Sequence, residues 1–117
     1  MFWRRKNDAT NSLREITAAE AHAALVQEKI VLVDVREPAE LQFAPFPFEV
    51  LPIPLGQLPR RLEELPRDRE IVVACRSGAR SASAVQFLLH VGFPRAVNLE
   101  GGILAWSRRI DPNVRSY

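Results

Sequence analysis

The chain holds one cysteine, one methionine, one tyrosine and two histidines among 117 residues, and each scarcity narrows what it can do. A single cysteine cannot close an internal disulfide, so nothing asks for an oxidising compartment, and a reduced, cytoplasmic setting is expected. With only His22 and His90 beside Cys75, no zinc-ligand spacing exists, and no metal or organic cofactor is expected. A net charge of +2, carried by scattered arginines without interleaved aromatics, is too small to argue for nucleic acid. No apolar stretch reaches membrane-spanning length. The start, Met1-Phe2-Trp3-Arg4-Arg5-Lys6, is basic, but no apolar signal core follows it. Residues 1–12 read as a flexible tail, and residues 13–117 as one domain, expected to be monomeric.

What is present is patterned. Thr17-Ala18-Ala19-Glu20 is a capping box and predicts a helix over 18–27. Ile30 to Val35 is a continuous β-branched run, as in a strand buried on both faces. Pro38, Pro45, Pro47, Pro52, Pro54 and Pro59 exclude a central strand over 38–59. That stretch predicts a helical turn near 38–42 and a short strand near 48–53. Leu58, Leu62 and Leu65 predict a short surface helix. Ile71 to Ala74 is a second central strand and Ser81 to Val91 a helix, with Gly92 at its C′ position. Leu13 to Ile16 reads as an edge strand, Ala96 to Leu99 as another strand, and Ile103 to Arg108 as a short helix. Strand and helix alternate with short connections, which predicts an α/β domain: a parallel sheet with helices on both faces.

In such sheets the functional loops lie at the carboxyl ends of the strands. Cys75 stands there, opening the loop Cys75-Arg76-Ser77-Gly78-Ala79-Arg80 before the helix expected from Ser81. A loop this tight must curl, turning its amides inward into an anion nest that the helix N-terminus reinforces. Gly78 relieves the backbone restriction, and Arg76 and Arg80 add full charge. Together they should pull the Cys75 thiol below its free pKa of about 8.5 and make it a nucleophile. A buried strand-end cysteine is more often inert core, but two neighbouring arginines are poor company for a structural thiol.

These residues resemble the active-site loop of single-domain rhodaneses. Leu32-Val33-Asp34-Val35-Arg36-Glu37-Pro38-Ala39-Glu40 is similar to a second signature of that family. Asn98-Leu99-Glu100-Gly101-Gly102-Ile103-Leu104-Ala105-Trp106 is similar to a third. The motifs come in the family's order and span roughly residues 13–117. The stretch from Asp111-Pro112 to Tyr117 looks most like rhodanese domains fused to sulfur-carrier-activating enzymes.

The resemblance implies the rhodanese-like fold, with about five short strands in a mainly parallel sheet. It also implies a sulfurtransferase reaction. Cys75 takes sulfur from a small anionic donor such as thiosulfate, or from a persulfide, and holds it as its own persulfide. A nucleophile then removes it: cyanide in vitro, a thiol or a sulfur-carrier protein in the cell. Ser77, Gly78 and Ala79 would cradle the charged sulfur. Arg76 and Arg80 would bind the donor's anion. Asp34, Arg36, Ser81 and Trp106 would support the site. Phosphatases and arsenate reductases on the same fold carry five residues between their cysteine and arginine; Cys75 and Arg80 are separated by four. The rival from another class is a non-catalytic module that keeps the fold and recruits a partner. One departure favours it. Where the family usually has Gly-His-Ile-Pro-Gly-Ala, this chain has Ala44-Pro45-Phe46-Pro47-Phe48-Glu49. Phe43, Phe46 and Phe48 then either pack on the core or form a hydrophobic lip. Arg60-Arg61 and Arg108-Arg109 read as solvated faces, or as a docking site for an acidic carrier.

Overall fold

The computed structural model describes residues 13–117 and the backbone of Arg4–Arg5. The segments are β1 (Arg4–Arg5), β2 (Arg14–Ile16), α1 (Ala18–Val26), β3 (Ile30–Asp34), α2 (Pro38–Phe43), β4 (Leu51–Pro52), β5 (Glu70–Ala74), α3 (Ala79–His90), β6 (Ala96–Leu99) and α4 (Gly102–Arg109). They form one sheet in the order β1-β2-β6-β5-β3-β4. Strands β2, β6, β5, β3 and β4 run parallel, and β1 pairs antiparallel with β2 through Arg4 to Glu15 and Arg5 to Arg14. The expected tail 1–12 lies outside the described residues except for Arg4–Arg5, whose pairing makes β2 an interior strand rather than an edge.

Side chains alternate across the central strands and sort the core into two layers. Leu32, Val72, Ala74, Val97 and Leu99 face one layer with Ala18, Ala21 and Ala24 of α1 and Ile103 and Trp106 of α4. Val33, Val35, Ile71, Val73, Cys75 and Ala96 face the other, with Ala84, Val85 and Leu88 of α3. The helices therefore cover both faces of the sheet. Thr17 closes the capping box on α1: its hydroxyl accepts from the Glu20 amide at 3.1 Å, and the Glu20 carboxylate accepts from the Thr17 amide at 2.8 Å. Gly92, at φ +100°, follows the C-cap of α3 as expected.

The helix expected over Leu58–Leu65 is absent. Two 3₁₀ turns, Leu55–Arg60 and Leu62–Glu64, replace it. Pro59 lies inside the first and has no N–H to continue an α-helical ladder, and the chain breaks at Arg61 with φ −124°. Leu58 and Leu65 are nevertheless buried against the α3 layer.

Candidate active site

The alternation along β5 sends the Cys75 side chain toward α3, where it is 1% exposed. Gly78 then turns the chain with φ +101° and becomes the N-cap of α3. Glycine takes this left-handed conformation without the Cβ clash that disfavours it elsewhere. The turn starts α3 at Ala79, two residues before the expected Ser81, so Ala79 and Arg80 belong to its first helical turn and not to the loop. The sulfur stands where a capping side chain would. Its Sγ accepts from the Gly78 amide at 3.1 Å and the Ser81 amide at 3.4 Å, and the Ser81 Oγ lies 3.3 Å away. First-turn amides otherwise lack partners, and the helix dipole is positive there, so the position favours negative charge on sulfur.

The other side of the loop is fastened by α4. The Ile103 amide donates to Cys75 O at 3.0 Å and the Leu104 amide to Arg76 O at 3.1 Å. A planar trans peptide that turns its carbonyl to α4 turns its N–H away from it. The amides of Arg76 and Ser77 thus face away from α4. Gly102, at φ +59°, permits this approach: a Cβ there would stand 2.5 Å from Cys75 O and would also collide with Arg76 O.

Arg80 points to α2. It donates from both terminal nitrogens to the Glu40 carboxylate, at 2.8 and 2.9 Å. Those bonds hold the Glu40 carboxyl down at about 2 against the opposing effect of burial, helped by the Glu37 amide and Tyr117. The same Glu40 raises the Arg80 pKa. Tyr117 hydroxyl donates to Glu40 at 2.8 Å and accepts from Arg36 at 2.9 Å. Burial pushes the Tyr117 phenol up, with the Arg36 bond pulling the other way. Arg36 is 1% exposed and forks onto Asp34, with a closest contact of 2.8 Å; it also donates to Ala44 O at 2.9 Å. Burial pulls its pKa down, but the bonds to Asp34 and Tyr117 outweigh it and the net shift is upward. Arg76 lies over the Tyr117 ring, 5.2 Å from the centroid.

Cys75, Gly78, Ser81 and the first turn of α3 thus meet as expected. Ser77 in the loop and Ala79 in the first turn of α3 are exposed. Asp34 and Arg36 reach the site only through Tyr117 and Glu40. Trp106 does not wall it: fully buried, it packs edge-on against Phe46, Phe48 and His22. The substituted segment 44–49 belongs to that aromatic cluster and is held by Arg36 at Ala44 O. Phe46 is buried, Phe48 partly so, and Phe43 is half exposed against Tyr117. Arg61 pairs with Glu64, while Arg60, Arg108 and Arg109 are exposed. Four residues gain a role that sequence reasoning did not assign. Glu40 and Asn98 stand inside the two companion motifs, Glu15 lies on an expected strand, and Tyr117 ends the C-terminal stretch of the resemblance, where no role was assigned to it. Among the described residues no cluster of metal-ligating side chains occurs, and no helix is long and apolar enough to cross a membrane.

A rhodanese-like domain matches residues 17–109. The chain belongs to the rhodanese-like family. A sulfurtransferase of Allochromatium vinosum is 46% identical over 87 residues, 74% of this chain and 80% of that protein. The probable adenylyltransferase/sulfurtransferase MoeZ of Mycobacterium tuberculosis is 37% identical over 90 residues, covering 76% of this chain but only 23% of MoeZ. The crystal structure of a rhodanese-related protein from Thermoplasma volcanium superposes with a TM-score of 0.74 at 35% identity, covering 82% of this chain and 92% of that one. This rhodanese-like domain is therefore similar in sequence to a sulfurtransferase and in fold to a rhodanese-related structure.

Proposed function

We propose that this rhodanese-like protein is a sulfurtransferase that carries sulfur on Cys75. The observation that supports it most is the Cys75 Sγ at the N-terminus of α3, receiving the Gly78 and Ser81 amides. In the first half-reaction the Cys75 thiolate attacks the sulfane sulfur of thiosulfate or of a persulfide. A new S–S bond forms, the donor's S–S bond breaks, and sulfite or a thiolate leaves with the electron pair. In the second, a nucleophilic acceptor takes the outer sulfur and the pair returns to Cys75. Cyanide serves in vitro, and a thiol or sulfur-carrier protein in the reducing cytoplasm. The chemistry is covalent and ping-pong.

The test is incubation with thiosulfate, and separately with a persulfide donor, followed by intact-mass measurement. The protein should gain one sulfur atom that excess thiol removes, and Cys75→Ser should gain none. Absence of the adduct with both donors would overturn the reading.

A further inference from the structure

A chain of buried polar groups runs from the sulfur through Ser81 and Asn98 to Glu15. Ser81, Asn98 and Glu15 are 0%, 1% and 5% exposed. Glu15 and Asn98 are register partners on β2 and β6. Both occupy strand positions that alternate away from the α1 and α4 layer, and so share the α3 face with Cys75. Asn98 Nδ2 donates to Glu15 Oε2 at 2.9 Å and to Gly78 O at 3.2 Å. Two acceptors on the nitrogen side fix the orientation of the amide, so Oδ1 must face Ser81 Oγ, 2.5 Å away.

A serine hydroxyl has one proton to give. At 2.5 Å from Asn98 Oδ1 and 3.3 Å from Cys75 Sγ, that proton is committed to Asn98, and Ser81 presents a lone pair to the sulfur. This arrangement suits a neutral sulfur, either a thiol or the inner atom of a persulfide. For the thiolate that the Gly78 and Ser81 amides favour, this hydroxyl orientation is the poorer one: an oxygen lone pair beside the charge is unfavourable and a turned O–H is favourable. We propose that Asn98, locked by Glu15, is a positioning residue that keeps the Ser81 hydroxyl in reserve. Its proton turns from Asn98 Oδ1 to Cys75 Sγ when negative charge returns to that sulfur.

The inference rests on the reading of Cys75 as a sulfur carrier. In the unloading step the acceptor's lone pair forms a bond to the outer sulfur, the Sγ–S bond breaks, and its electrons stay on Sγ. No proton is transferred; the Ser81 O–H rotates and donates to the new thiolate beside the two amides already there. The charge it meets develops in the transition state, where a donor accelerates the step. The charged groups on the loop side are Arg80, which interacts with Cys75 and is paired with Glu40, and, at Tyr117, Arg76 and the Arg36–Asp34 pair. None of them is altered in the comparisons that follow.

Single-turnover kinetics separate the two half-reactions. Ser81→Ala should slow cyanide-driven unloading of the preformed persulfide about tenfold, the worth of one hydrogen bond to charge. Loading by thiosulfate should change less than threefold. Equal slowing of both steps, or unchanged unloading, would overturn the proposal. The pH profile of Cys75 alkylation by iodoacetamide tests Asn98 without any sulfur donor, so it can fail independently of the sulfurtransferase reading. In a Glu15→Gln background, which leaves no unpaired carboxylate, adding Asn98→Leu frees the Ser81 proton for sulfur. The alkylation midpoint should then fall by roughly half a pH unit or more. Adding Ser81→Ala should abolish that fall. A midpoint that stays put, or that falls equally without Ser81, would refute the role of Asn98. Should the Asn98 variants not fold, the Ser81→Ala half-reactions still decide.

Discussion

Arg76 lies over the Tyr117 ring, 5.2 Å from its centroid, and has no carboxylate partner among the described residues. Arg80, just beyond the loop, is held in a two-pronged pair by Glu40, which also accepts from Tyr117 and from the Glu37 amide. Two arginines of the same chemistry, four positions apart, are therefore in different electrostatic states. The charge of Arg76 is available to an incoming anion. The charge of Arg80 is largely cancelled, and its side chain instead ties α3 to α2. A loop that looks doubly cationic thus presents one uncompensated guanidinium, over the Tyr117 ring, and one structural strut.

The strut has a root, and cutting it should give the largest effect. Arg36 supports Tyr117, which supports Glu40, which holds Arg80. Replacing Arg36 by Met leaves the Asp34 carboxylate, 0% exposed, without its cation. Removing one member of a buried pair costs about 3–5 kcal/mol. A urea titration should show that loss, together with release of the segment that Arg36 holds at Ala44 O. A loss below about 1 kcal/mol would mean that Asp34 finds another partner and that the strut does not depend on Arg36.

Next in size is the direct contrast between the two arginines. Arg76→Ala should raise the thiosulfate KM about tenfold, the equivalent of 1.4 kcal/mol of lost attraction, and leave stability within about 0.5 kcal/mol. Arg80→Ala should do the reverse. Its pair is partly exposed and is worth at most about 1 kcal/mol, while the KM should move less than about threefold. Steady-state kinetics and thermal melts on the two variants read both quantities. Equal KM increases would erase the distinction and restore two donor-binding arginines.

Much of this arrangement is legible in the sequence. The α/β order, the carboxyl-end position of Cys75 and the curl at Gly78 follow from local pattern, because strand period, capping and the need for a left-handed residue are properties of neighbouring residues. The sequence pattern puts the start of α3 two residues late because Gly78 is itself the cap, so the turn ends sooner than a six-residue loop implies. The leucine spacing over 58–65 suggested an α-helix, and Pro59 overruled it. Long-range partners were not legible. Glu40 to Arg80, Asn98 to Glu15 and Tyr117 to Arg36 join residues 40, 83 and 81 positions apart. No local period encodes such pairs, and only the packed sheet brings them together. The same holds for the substituted 44–49 segment, whose phenylalanines join the Trp106 cluster from outside the motifs.

Glu40→Gln gives the smallest effect and the most selective one. Its carboxyl titrates at about 2 in the folded protein against an ordinary 4.5, chiefly because Arg80 donates to it. A depressed folded value means that Glu40 contributes its stabilisation fully above pH 4.5 and loses it as the pH falls toward 2. Thermal melts between pH 5 and 2 should therefore show a shallower decline for Glu40→Gln than for the native chain, from a slightly lower start. The same substitution removes the charge that cancels Arg80. The thiosulfate KM should then fall about two- to threefold, by the attraction a partly exposed cation exerts on an anion. That gain should vanish when Arg80→Ala is added and persist when Arg76→Ala is added. A KM indifferent to Glu40, with the acid decline still flattened, would show that Arg80 faces away from the donor altogether and serves only as the strut.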